Sequence, residues 1–328
     1  MKTAVVYDWA NRAQGGAERV LKTIADIYPQ ADLFTAVYDP QKAKWTKAFK
    51  SVQPSFLQQI PGEIKHWPVI GPLMPFAFEQ FNFDDYDLVI SVTSYPAKAI
   101  VTKPETKHIC YCLTPPRYLW KAEFSSKLSY LAYSPLRYFD YCYGQRPDEI
   151  ITIRKTIKKR IKKFYHRSSK VVYPGINTNK FKPTTNQNSK DYFLLVSRLV
   201  PYKKISLAIK TFNKLNLKLK IVGTGRQKDY LKSIAQPNIS FLKNITEYEL
   251  ISLYQNCQAL IMPQQEDFGL TAIEAQACGR PVIAFNKGGA TETIRHKQTG
   301  VLFDQQNVKS LNQAIKEFRS ITFDTKTI

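Results

Sequence analysis

Short apolar runs alternate with amphipathic helical patterns along almost the whole chain, and one polar stretch interrupts them. That alternation leaves few folds open. Runs at 3–7, 32–35, 88–92, 107–112, 149–153 and 170–173 have the length and the β-branched or aromatic content of buried strands. Segments 17–27 and 156–165 carry helical spacing between them. Strands and helices in this order build a parallel sheet covered by helices. Region 36–84 departs from the pattern. Pro54, Pro61, Pro68, Pro72 and Pro75 break it, so loops and short helices are expected there.

Composition shifts at 174–190, where PGINTNKFKPTTNQNSK has two prolines, a glycine and many Asn and Thr. That is the composition of a linker. The alternation then restarts, with strands at 192–197 and 218–222 and helices at 205–215 and 226–234. Further alternating segments follow at 239–242, 247–255, 259–262, 270–277, 281–285, 291–295 and 301–303. A length of 328 residues suits two domains. The expected fold is α/β, with two Rossmann-like domains at 1–175 and 191–328 joined by a linker at 176–190. Such sheets bind ligands at the carboxyl ends of their strands, and here those ends are expected to face each other across a cleft.

The chain carries 48 Lys and Arg against 26 Asp and Glu, a formal charge of +22. A charge this large favours an anionic partner: nucleic acid, a phosphorylated substrate or an acidic membrane surface. A lysine-rich proteome is the alternative explanation. The cations are not interleaved in an RNP, KH or helix-turn-helix pattern, so no nucleic-acid partner is expected. Five cysteines, at 110, 112, 142, 257 and 278, form no CxxC pair and no zinc spacing, and no metal is expected. Strand alternation puts Cys110 and Cys112 on one face as buried free thiols, as suits a reducing cytosol. The amino terminus lacks a signal-peptide core, and no run reaches the roughly 18 apolar residues of a spanning helix. A cytoplasmic protein is expected, peripheral to a membrane at most.

Four strand-to-helix turns carry the candidate chemistry. In the first, Gly15 and Gly16 precede a helix whose N-terminal N–H groups suit an anion, although the spacing is not GxGxxG. In the second, Arg198 and Lys203 flank Pro201 after the first strand of the second half. A guanidinium fork and an ammonium suit a diphosphate, and a chance solvated pair is the alternative. The third, Gly223-Thr-Gly225, is a weak signal alone. The fourth is EDFGLTAIEAQACGRPVIAF at 266–285. There Thr271 and Glu274 have capping-box spacing, which would make Glu274 a helix-start residue. Alternatively Glu274 accepts from a ribose diol and Glu266 from sugar hydroxyls.

Glu266 and Glu274 have the E-x7-E spacing of family-four retaining GT-B glycosyltransferases, and the run EDFGLTAIEAQACGRPVIAFNKGGATETI resembles that family's carboxyl-half signature. SRLVPYKK, IVGTG and TGVLF stand in the same order, and GGAERVL and YPGINTNKF resemble its amino-half segments. The similarity covers nearly the whole chain. ICYCLTPPRYLW and YDLVISVTSYPAK resemble mannosyltransferases of O-antigen and exopolysaccharide assembly. The resemblance implies a retaining transfer of a hexose, mannose from GDP-mannose, to a lipid-linked oligosaccharide or polysaccharide acceptor, with no cofactor and no metal. The amino domain would serve the acceptor and the carboxyl domain the nucleotide-sugar donor. Arg198 and Lys203 would neutralise the departing diphosphate. Glu266, with the backbone of Phe268, Gly269 and Leu270, would hold the donor sugar, and Glu274 the ribose. Gly15 and Gly16 would let the first loop close over the diphosphate, the base would sit in loop 242–246, and Arg117 would lie on the acceptor side.

Two features depart from the family. Leu113 stands where several relatives carry a His in the YCxTP segment, and His108 reads as a strand-end residue rather than its replacement. A final helix crossing back to the amino domain is expected of the family, whereas this sequence stops at FDTKTI. A catalytically impaired homologue acting as a scaffold is therefore an alternative, and a nucleotide-sugar epimerase of the same two-domain fold is another. Finally, RKTIKKRIKKFYHRSSK at 154–170 holds nine Lys or Arg and no acid. Ile157, Ile161 and Phe164 form its apolar stripe, and a basic face turned to anionic lipid is expected, or else a merely solvated one.

Overall fold

Each half of the chain builds one sheet in which every strand pair is parallel. The computed structural model describes residues 1–12, 15–60, 73–120, 131, 133–184 and 191–328. The chain divides into two compact units, Met1–Gly175 and Ile176–Ile328. Pro61, Pro68 and Pro72, and residues 185–190 of the expected linker, lie outside the described residues.

In the amino-terminal unit the strands are β1 (Thr3–Tyr7), β2 (Asp32–Thr35), β3 (Ser51–Pro54), β4 (Leu88–Thr93), β5 (Lys107–Cys112), β6 (Glu149–Thr152) and β7 (Lys170–Val171), in sheet order β3-β2-β1-β4-β5-β6-β7. The described helices are α1 (Gly16–Ile27), α2 (Met74–Glu79), α3 (Arg117–Trp120), α4 (Ser134–Tyr143) and α5 (Lys155–Tyr165). Central strands β1 and β4 are buried throughout, which is why they read as unbroken apolar runs. One core gathers Phe34, Phe83 and Tyr86 edge to face, with ring centroids 4.9 to 6.0 Å apart. Cys110 and Cys112 are buried and free.

The stripe on α5 packs as its spacing requires. Ile157 and Ile161 are fully buried, and Phe164 stacks on Trp120 at 4.7 Å. The basic residues do not all face water, however. Arg154 and Arg160 are buried, and Arg160 Nη1 donates to Thr114 Oγ1 at 3.2 Å. The exposed cations of the helix are Lys155, Lys158, Lys159, Lys162 and Lys163.

The carboxyl-terminal unit contains β8 (Phe193–Val196), β9 (Leu219–Val222), β10 (Ile239–Leu242), β11 (Leu260–Met262), β12 (Val282–Phe285) and β13 (Gly300–Phe303), in sheet order β10-β9-β8-β11-β12-β13. Its helices are α6 (Ile205–Leu215), α7 (Lys228–Ser233), α8 (Glu247–Asn256), α9 (Leu270–Ala277), α10 (Ala290–Thr293) and α11 (Val308–Arg319). Alternate residues of β8 feed two cores: Phe193 and Leu195 pack with Phe212 and Leu311, whereas Leu194 packs with Tyr254 and Met262. Phe181, inside the stretch expected as a linker, is buried in the second core beside Tyr254.

Both strand orders reverse once. In the first sheet the chain runs outward from β1 on one side and from β4 on the other, and in the second from β8 and from β11. Ligands of open α/β sheets bind at such switch points, beyond the carboxyl ends of the strands.

Candidate active site

In the carboxyl-terminal unit the segments that follow β8 and β11 meet at the switch point. Beyond β8, Pro201–Lys203 forms one 3-10 turn, and Lys204 takes a left-handed conformation (φ 52°) before α6 begins. This turn buries Lys203, which is 7% exposed. Its Nζ forms an ion pair with Glu266 Oε1 on the loop beyond β11. The buried Gln264 side chain donates to the same oxygen at 2.9 Å. Glu266 Oε2 has no hydrogen-bond partner among the described residues, and the side chain stays 23% exposed. Glu266 is therefore fixed through one oxygen and able to accept a hydroxyl through the other.

Arg198 is exposed. Its Nη2 donates to the Tyr202 hydroxyl, and its guanidinium lies 5.9 Å from the Tyr202 ring centroid. Lys203 Nζ lies 5.1 Å from the same ring. Tyr202 thus steadies both cations. The turn at Gly223-Thr-Gly225 supports this loop. A Cβ on Gly223 would stand 1.9 Å from Ser197 O, and Leu199 N–H donates to Thr224 O at 2.8 Å. The close approach that needs glycine here is to a neighbouring backbone.

Gly269 (φ 89°) caps α9 in the left-handed region without a side-chain cap. Glu274 is consequently the fifth residue of the helix, two positions too deep for the capping box that its spacing with Thr271 allowed. It is wholly buried, and its Oε2 accepts from the Tyr254 hydroxyl at 2.8 Å. Phe268 is buried, Leu270 is the first helical residue, and the first N–H groups of α9 lack acceptors four residues back. Loop 286–289 holds this helix start: Gly289 N–H donates to Glu266 O at 2.8 Å, and a Cβ on Gly289 would lie 2.0 Å from Phe268 O. One cation, one oriented carboxylate and a helix N-terminus therefore converge on one edge of the sheet. That set suits an anion carrying a hydroxylated group.

In the amino-terminal unit, Gly15 is the extended N-cap of α1 and Gly16 its first residue. The Gly15 N–H, which the sequence offered to an external anion, donates to Glu18 Oε2 at 2.8 Å, and Glu18 Oε1 accepts from Tyr7 at 2.7 Å. Asp8, just beyond β1, accepts from Thr93 Oγ1 at 2.5 Å, from Ala97 N–H at 3.0 Å and from Ser94 N–H at 3.1 Å. Burial raises the Asp8 carboxyl above the usual range against those three bonds. Leu113 follows β5, its N–H donating to Thr93 O at 2.9 Å, and Arg117 is exposed at the start of α3. His108 lies at the opposite, amino end of β5. Burial lowers its pKa to about 3, and Nε2 is 2.8 Å from Ser91 Oγ. It is a structural strand-end residue. Among the described residues no group of three or more His, Cys, Asp and Glu could hold a metal.

Residues 176–322 match the family model for glycosyl transferases group 1. The carboxyl-terminal unit belongs to that family. Group 1 membership thus covers Arg198, Lys203, Glu266 and Glu274 together. The chain is 26% identical over 290 residues to the alpha-1,3/1,6-mannosyltransferase ALG2 of Dictyostelium discoideum, covering 73% of this chain and 66% of that protein. It is 26% identical over 204 residues to a GDP-mannose-dependent alpha-(1-6)-phosphatidylinositol monomannoside mannosyltransferase of Mycobacterium tuberculosis, covering 53% of each. The chain spans about half the length of most curated relatives it matches. Among solved structures it resembles Anabaena Alr3699/HepE in complex with UDP and glucose, with a TM-score of 0.72 at 19% identity, covering 100% of this chain and 91% of that one. This likeness shows the fold, two Rossmann-like α/β domains of the GT-B class.

Sequence reading missed Tyr202, Gln264 and Tyr254, which orient the group 1 cations and glutamates, and Glu18 and Asp8 in the amino-terminal unit. Only Glu18 had a signal, its capping-box spacing from Gly15.

Proposed function

We propose that the chain is a retaining hexosyltransferase that moves mannose from GDP-mannose to a lipid-linked saccharide. The observation that carries this reading is the Lys203–Glu266 pair, which joins the two switch-point loops of a group 1 domain. Cleaving a sugar–phosphate bond places negative charge on the diphosphate and positive charge on the anomeric carbon. Lys203, Arg198 and the N-terminus of α9 stabilise the first, preorganised before the reaction begins. Glu266 accepts sugar hydroxyls through Oε2, beside the backbone of Phe268, Gly269 and Leu270. Glu274 takes the ribose by sharing its carboxylate with Tyr254. The acceptor hydroxyl attacks from the leaving-group face, and a phosphate oxygen takes its proton, so configuration is retained. No metal or cofactor has a step in this scheme. Gly15 and Gly16 remain assigned to the donor and Arg117 to the acceptor.

The names of the two mannosyltransferase relatives support mannose and GDP. The UDP and glucose of the Anabaena structure name the competing donor. A calorimetric and thermal-shift panel of GDP-mannose, UDP-glucose, UDP-GlcNAc and the free nucleotides decides between them. GDP-mannose is expected to bind tightest. Preference for a UDP-sugar would reassign the donor, and no binding by any would overturn the site.

The acceptor's lipid places the work at the inner face of the cytoplasmic membrane. Among the described residues no helix is long and apolar enough to cross a membrane. The five exposed lysines of α5, with no acid on that helix, are assigned to anionic lipid. The chain is expected to sediment with vesicles containing phosphatidylglycerol but not with phosphatidylcholine alone, and to be released by salt. Equal binding to both, or to neither, would remove the membrane from the proposal.

A further inference from the structure

At the carboxyl ends of β2 and β3, a cavity of about 570 Å3 opens on the amino-terminal unit. Its aromatic lining is Phe34, Phe56 and Phe81, and carboxamides such as Gln53, Gln59 and Gln80 supply most of its polar groups. Among the described residues none that lines it is ionisable, although charged residues make up 23% of the chain. The wall is held in place. Ser55 Oγ donates to Ala36 O at 2.9 Å, and the Gln58 carboxamide oxygen accepts from Tyr38 N–H at 2.9 Å. Phe34 forms the floor, packed edge to face on Phe81 at 5.1 Å. By contrast Gln53, Gln59 and Gln80 make no side-chain hydrogen bond among the described residues, and Phe56 is 41% exposed.

We infer that this cavity binds a neutral saccharide. A carboxamide presents both a donor and an acceptor, as a sugar hydroxyl does, so an uncommitted set of them matches a polyhydroxylated ligand. An exposed aromatic ring offers apolar area to the C–H face of a pyranose. A diphosphate or an anionic headgroup would find no cation among the described residues that line it. The volume falls within the range of small-molecule sites, and the cavity opens beyond the carboxyl ends of β2 and β3. On the glycosyltransferase reading the occupant is the sugar of the acceptor. The inference rests on that reading for its purpose but not for its ligand.

The test uses the full chain, with α-mannobiose and maltose as probes, glucuronic acid as a charged control, and saturation-transfer NMR with calorimetry as the readout. At least one disaccharide is expected to bind while glucuronic acid does not. Gln59→Ala and Phe56→Ala should each weaken it about fivefold and leave nucleotide-sugar binding unchanged. Both side chains face solvent, and the thermal midpoint of each variant reports whether it is folded. Absence of disaccharide binding, equal binding of glucuronic acid, or indifference to both substitutions would overturn the inference. Nucleotide-sugar binding without disaccharide binding would sink the cavity alone. Disaccharide binding without nucleotide-sugar binding would sink the transferase reading and leave the cavity standing.

Discussion

Lys203→Ala is expected to slow sugar transfer by about 10²–10³-fold, the cost of removing one preorganised charge-stabilising group from a transition state. Lys203 is 7% exposed and ion-paired to Glu266, so its charge sits where water screens it least. Losing it leaves the developing diphosphate charge to Arg198 and the start of α9. It also frees Glu266 from its strongest partner, although Gln264 still holds Oε1. Arg198→Ala should cost less, because Arg198 is exposed and its charge is screened by solvent and salt. Lys203→Arg is not expected to restore the rate. A planar guanidinium does not fit a site shaped around one buried ammonium that pairs with a single carboxylate oxygen. The stability cost of Lys203→Ala should be small, since Glu266 keeps access to water. Transfer rates measured with the donor chosen by the nucleotide-sugar panel, beside donor affinities, check the prediction. A rate within a factor of two of the parent would remove Lys203 from the chemistry.

Elements whose apolar residues keep a regular period were legible in the sequence. Strands β1 and β5 and helices α6 and α9 have the bounds that their apolar pattern and flanking residues imply. Strand β3 was not legible. Ser51–Pro54 is an edge strand with two exposed residues and a terminal proline, inside a proline-broken region where loops were expected. Helix α4 escaped as well. Its SPLRYFDYCY has no clean apolar period, and its aromatic residues favour strands. At the site, residue types were visible but partnerships were not. Lys203 and Glu266 stand 63 positions apart, and only the sheet order that makes β8 and β11 neighbours brings them together. Conversely, Glu274 was legible by spacing and misleading by it, since Gly269 rather than Thr271 lies near the helix start as its cap. Tyr202 and Tyr254 were invisible because a tyrosine that orients a charged neighbour looks like any core or surface aromatic until its hydroxyl has a partner.

Asp140→Ala is expected to destabilise the amino-terminal unit by about 3–5 kcal/mol, the cost of leaving a buried charge without its partner. Asp140 is fully buried on α4. Its Oδ1 accepts from Lys98 Nζ at 2.6 Å, and its Oδ2 accepts from Trp120 Nε1 at 2.6 Å and from the Tyr165 hydroxyl at 2.9 Å. One carboxylate thus ties the segment after β4 to α3, α4 and α5. Lys98 is 1% exposed and has one other oxygen partner among the described residues, Tyr95 O at 2.6 Å. The cause is testable through pH. Burial, the largest single influence, would lower the Lys98 pKa, but the Asp140 charge and hydrogen bond, together with the nearby Cys112 and Cys110, outweigh it and hold the ammonium above the usual lysine range. In the parent, therefore, the pair's contribution is fully present below the lysine pKa of the unfolded chain and is lost only as pH rises through the higher folded value. In Asp140→Ala the charge and hydrogen bond of the carboxylate are gone, burial dominates, and the sign reverses. The unfolded chain then binds the extra proton, so the variant gains stability as pH rises toward the ordinary lysine pKa. Denaturant unfolding at neutral pH and at about pH 9.5 should show the deficit shrinking, since an unperturbed lysine titrates near 10.4. Lys98→Met combined with Asp140→Asn should lose less than Asp140→Ala alone, because the double variant strands no charge and keeps an acceptor for Trp120 or Tyr165. A deficit below about 1 kcal/mol and independent of pH would mean that Lys98 reaches water once its partner is gone, and that the cluster is held by ring packing rather than by charge.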